Sequence, residues 1–147
     1  MVLCFGVRSG SGAMEDKHHV MMESLHLVQR GEAEQAFNML DSALEQATEE
    51  NHVTWIRILC RRAAVVAHVA GDRRREIRYT EKALPYAKDY SFAIYNFAQL
   101  LLRDGQADLA KRYATKAYEL STPGGTVADR DLAAALLKQW PEIAENR

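Results

Sequence analysis

The residues with the most obvious capacity for chemistry are His18, His19, Glu23 and His26, in the run Lys17–Leu27. On a helix His19, Glu23 and His26 fall at i, i+4 and i+7 and share one face. Two turns separate the outer pair by about 10 Å of axial rise, too far for both to hold one ion unless another element supplies a third ligand. The run therefore reads as a solvated helix face, and no metal is expected. Cys4 and Cys60 are the only cysteines and lie far apart, unlike a zinc or redox spacing, so a structural disulfide is not expected either. The chain contains no His-Glu-x-x-His, no Gly-x-Ser-x-Gly and no paired Cys-x-x-Cys. No converging set of nucleophile, base and metal emerges, so neither an enzyme nor a cofactor is expected.

The arginines form the second set. Arg57 and Arg61 stand one turn apart with Arg62 beside them, and Arg73, Arg74, Arg75 and Arg78 follow. Charge is unevenly spread: nine acidic and two basic residues from Met14 to Glu50, then eight basic and three acidic from Asn51 to Lys82. No aromatic residues interleave this cationic stretch to stack bases, which disfavours nucleic acid. The simpler reading is a surface whose arginines pair with the acidic first third.

The elements that must position these residues are helices. Tyr90 to Pro123 has apolar or small residues at Ala93, Ile94, Phe97, Ala98, Leu100 and Leu101, then at Leu109, Ala110, Tyr113, Ala117 and Leu120, with Gly105 between. This is helical spacing on both sides of a turn residue that adopts positive φ without Cβ strain. Ala98, Ala110, Ala114 and Ala117 let the two helices approach closely. Upstream, Met14–Arg30 and Glu32–Thr48 flank Gly31, while Asn51–Ala70 precedes Gly71 and a helix that Asp72 can cap. Pro85 should bend or end that helix near Leu84. Gly71 to Gly105 is 34 residues, as is Ala83 to Ala117. Downstream, Thr126–Asp129 resembles a capping box for a last helix carrying Leu132, Leu136 and Trp140, stopped by Pro141.

On Ala98, Gly105, Ala110, Ala117 and Pro123, the Tyr90–Pro123 stretch resembles a tetratricopeptide repeat, a 34-residue helical hairpin. The resemblance implies an all-α solenoid of about three antiparallel hairpins, over residues 14–50, 51–89 and 90–123, with a capping helix over 126–140. Residues 1–13 read as a disordered leader or cloning remnant, and seven helices are expected in all. In that family the first helix of each repeat lines a concave groove. Carried over by position, the groove-facing residues are His18, Met21, Leu25 and Val28; Ile58, Arg61, Val65 and His68; and Phe92, Tyr95, Asn96, Gln99, Leu102 and Arg103. The family's clamp for carboxylate tails is not reproduced, because Arg62 stands where an Asn would be supplied and Phe92 where a Lys would be.

A composition of 48% hydrophobic and 27% charged residues excludes a disordered chain, and no apolar run approaches the ~20 residues of a membrane span. A cytoplasmic protein is expected. The function expected is a protein-interaction scaffold, with Arg61, Val65, His68, Phe92, Tyr95, Asn96, Gln99 and Arg103 as its binding residues. Its partner would be a protein or peptide with an acidic residue near an apolar anchor, and self-association into a homo-oligomer is left open. The alternative is a regulatory or sensory domain of a larger regulator, or an accessory subunit, answering to a small acidic ligand.

Overall fold

Left-handed backbone marks where the helices end. In the computed structural model, which describes residues 10–122 and 129–145, Gly31, Gly71 and Gly105 have φ of +81°, +74° and +82°. Each closes its helix with the same two bonds. The glycine N–H donates to the carbonyl three residues back (Val28, His68 and Leu102), and the next N–H reaches five back (Leu27, Ala67 and Leu101) at 2.8–3.0 Å. This double closure satisfies carbonyls that a helix end would otherwise orphan, and it needs a left-handed residue. Asn51, φ +55°, is the only non-glycine among the described residues in that region, and it makes the same closure through His52 N–H to Ala47 O at 2.9 Å.

The described residues are helical with no strand. The helices are α1 Gly10–Gln29, α2 Ala33–Glu49, α3 Val53–Ala70, α4 Arg73–Ala83, α5 Tyr90–Arg103, α6 Ala107–Ser121, α7 Arg130–Gln139 and α8 Glu142–Glu145. The expectation of seven helices is corrected to eight. Pro141 does end α7, but proline is tolerated at a helix start, and α8 begins directly after it with Ile143 buried. Helix α1 starts at Gly10, four residues before the expected Met14, and residues 1–9 of the expected leader lie outside the described residues. So do Pro123 of the expected repeat and Thr126 of the expected capping box. The cap observed for α7 is Asp129, whose carboxylate accepts from Leu132 N–H at 3.0 Å. Pro85 acts as expected: α4 stops at Ala83 and a 3₁₀ turn, Leu84–Tyr86, follows.

The chain divides between Tyr79 and Thr80 into two compact units. In the first, α1, α2 and α3 pack pairwise on one another, the three-residue linkers making neighbours antiparallel. Its core is Leu27, Val28, Phe37, Leu40, Leu44, Trp55, Ile56, Leu59 and Val66. Residues Arg73–Tyr79 of α4 are held to α2. Arg75 donates two bonds to the Glu34 carboxylate, at 2.7 and 3.1 Å, and stacks 4.1 Å over the Phe37 ring. Buried Tyr79 stacks on Phe37 and donates to Asp41 at 2.5 Å. The bidentate bond holds the Glu34 carboxyl below its usual range and raises the Arg75 guanidinium.

In the second unit α5 packs on α6, α6 on α7, and α7 on α8. Ala98, Ala110, Ala114 and Ala117 are fully buried, as close helix approach requires. Phe97 meets Tyr113 edge to face at 4.8 Å. Burial pushes the Tyr113 phenol up, with Glu81 at 3.5 Å adding to the effect.

Candidate functional site

The expected binding residues fall into two sets, one in each unit. On α3, Arg61, Val65 and His68 lie at i, i+4 and i+7 and share one exposed face. Val65 is 43% exposed, and Val69, one turn on, is 53% exposed. Together they make a short apolar strip on the face opposite the tight core of Leu59, Ala63 and Val66. His68 is less available than its spacing suggests. Its Nδ1 lies 3.3 Å from Glu76 Oε2, and Arg73 pairs with the same carboxylate at 3.7 Å.

Sequence reasoning passed over two exposed apolar side chains, one on this face and one on α1. Val69 is Val65's neighbour one turn along, and Met22 of α1 is 63% exposed. Met22 stands one turn from His18, whose ring meets Trp55 of α3 at 5.4 Å, so Met22 lies on the α3 side of α1. The expected groove residue Val28 belongs instead to the core at 8% exposure, because the buried stripe of α1 runs through Lys17, Ser24, Leu27 and Val28.

On α5, Asp89 fixes the start by accepting from Phe92 N–H at 3.1 Å. Phe92, Asn96, Gln99 and Arg103 then follow at i, i+4, i+7 and i+11 along one side. Phe92 is 48% exposed with the half-buried Tyr95 ring 6.1 Å away, giving an apolar step. Asn96 and Arg103 are exposed beside it. Gln99 is committed elsewhere: its amide exchanges two hydrogen bonds with Gln139 of α7, at 2.6 and 2.7 Å. No local pattern announces that pair, since the two residues are 40 apart.

As to chemistry, each face offers apolar area, a guanidinium and no nucleophile with a base in reach. Among the described residues no three His, Cys, Asp or Glu side chains converge as metal ligands. His26 lies 3.8 Å from Glu23, which also takes Arg30 at 3.4 Å, and Cys60 is fully buried. Of the arginines singled out by charge, Arg75 is spent on Glu34 and Asp72, and Arg73 on Glu76. No helix among the described residues is long and apolar enough to cross a membrane. Neither a protein-family model, nor a curated protein, nor a solved structure matches the chain.

Proposed function

We propose that the protein is a cytoplasmic interaction module built from tetratricopeptide-like hairpins, which holds a peptide or partner helix carrying an acidic residue beside an apolar anchor. The repeat reading is supported by the identical closures at Gly31, Gly71 and Gly105, two of them 34 residues apart, and by the buried alanines of α5 and α6. The observation that carries the binding reading is the company of the exposed apolar side chains. Val65 lies one turn from the exposed Arg61, and Phe92 shares its helix side with Asn96 and Arg103. A guanidinium donates two parallel bonds to a carboxylate, while a neighbouring valine or aromatic ring takes an apolar side chain out of water. Asn96 can hold a peptide backbone through its amide.

The test is affinity capture from native extract, followed by titration of a recovered partner peptide against Arg61→Ala and Tyr95→Ala. Removing a desolvated guanidinium contact at Arg61 should cost on the order of 2 kcal/mol of binding, and much less if it lies on the rim. Arg61→Ala should leave the helical signal and melting temperature nearly unchanged. A partner whose affinity is unmoved by both would place binding on other surfaces and sink the proposal.

A further inference from the structure

The first unit carries a concave surface between α1 and α2. An open groove of about 460 Å³ runs between these helices, lined by Lys17, Val20, Asn38, Met39, Ser42, Ala43 and Gln46. Its surface is mainly apolar. Met39, Ala43 and Gln46 form one helical stripe, i, i+4 and i+7, and make its α2 wall. The next stripe, Asn38, Ser42, Glu45 and Glu49, forms the bank, and Glu45 and Glu49 are exposed. On α1, Val20 lies in the groove, and Glu23, one turn later, is already paired with Arg30 at 3.4 Å, so the carboxylates offered to a ligand are those of α2. The lone cation in the wall, Lys17, is 6% exposed and ion-paired with Glu50 at 3.6 Å, its ammonium 6.0 Å from the Trp55 ring. Its charge is spent inside the unit and does not oppose an incoming cation.

An apolar channel with carboxylates on its banks is complementary to a helix with an apolar stripe edged by Lys or Arg. We propose that the α1–α2 groove docks a basic amphipathic helix of a partner protein. The charge beside the groove favours this occupant: Glu45 and Glu49 are exposed along its α2 bank, while the Lys17 ammonium is paired with Glu50. The exposed Arg61 of α3 stands on another helix and calls for the opposite ligand chemistry, so the two surfaces are distinguishable by the sign of the probe.

The experiment uses the full chain and two fluorescein-labelled helical peptides of 17 residues, the length of α2. One has a Leu stripe edged by Lys, the other the same stripe edged by Glu. The Leu/Lys peptide should bind in fluorescence anisotropy, and raising salt from about 0.05 to 0.3 M should weaken it severalfold. Glu45→Lys with Glu49→Lys, both at exposed positions, should weaken it about tenfold or more. Met39→Lys should act in the same direction, and Glu119→Lys, which reverses an exposed carboxylate on α6, should leave it unchanged. Circular dichroism and melting confirm that each variant is folded, and the double reversal carries the test if Met39→Lys is not. The proposal is overturned if the Leu/Lys peptide fails to bind, if the Leu/Glu peptide binds equally well, or if Glu119→Lys weakens binding as much as the Glu45→Lys, Glu49→Lys reversal does.

Discussion

Replacing Tyr79 with Phe isolates the contact by which α4 is held to α2, and its signature lies in pH rather than in magnitude alone. Tyr79 is 2% exposed and donates to Asp41 at 2.5 Å, while Asp41 itself is open to water. Deleting the hydroxyl leaves no buried acceptor stranded, so the loss at neutral pH should be at the low end for a hydrogen bond to a carboxylate, about 1.5 kcal/mol. Burial first, then the bond to Asp41, pushes the Tyr79 phenol from 10.0 up to about 12. A group whose folded-state pKa is raised contributes stability that is fully present below its unfolded pKa and is lost as pH rises toward the folded one. The window is therefore pH 10 to about 12. Across it the wild type should lose on the order of 2–3 kcal/mol that Tyr79→Phe does not, since each tenfold difference in proton affinity between folded and unfolded chains is worth about 1.4 kcal/mol. Every other tyrosine and lysine titrates in both proteins and cancels in the difference. Urea unfolding followed by circular dichroism should show the variant weaker near pH 7, with the two stabilities crossing at roughly pH 11. A deficit that stays constant from neutral pH to about pH 11 would refute the argument, because the phenol would then titrate alike in folded and unfolded chains.

Two further outcomes follow from packing and from backbone. Ala98→Leu adds side-chain volume at the fully buried α5–α6 contact and should cost on the order of 1–3 kcal/mol in denaturant unfolding; a neutral result would mean that this contact is loose. Asn51, at φ +55°, should be replaceable by Gly with little loss, whereas Asn51→Ala should lower stability by about 1 kcal/mol, because a Cβ strains left-handed backbone and Asn tolerates it better than Ala.

Much of this architecture is legible in the sequence because its causes are local. Helical apolar spacing, the glycines that close α1, α3 and α5, Pro85 after α4 and Asp72 before it, where it accepts from Arg75 N–H at 3.1 Å, all act within a few residues of themselves. The same locality explains what is misread. Pro141 reads correctly as a stop, but a four-residue helix with one buried isoleucine has too little periodicity to signal itself. Asn51 does the work of a glycine, and composition alone does not separate a left-handed Asn from an ordinary polar linker.

The candidate surfaces divide in the same way. The sequence by itself determines that Arg61, Val65 and His68 share a side of α3, and that Phe92, Asn96, Gln99 and Arg103 share a side of α5, because 3.6 residues per turn permits nothing else once the helices form. Only the tertiary structure decides which of those side chains remain available. Gln99 is taken by Gln139, His68 by Glu76 and Arg75 by Glu34, while Met22 is left open and Val28 is buried. Periodicity specifies the angle at which a side chain leaves its helix. Whether another helix, water or a partner meets it there depends on packing between segments up to 41 residues apart, to which no local pattern refers.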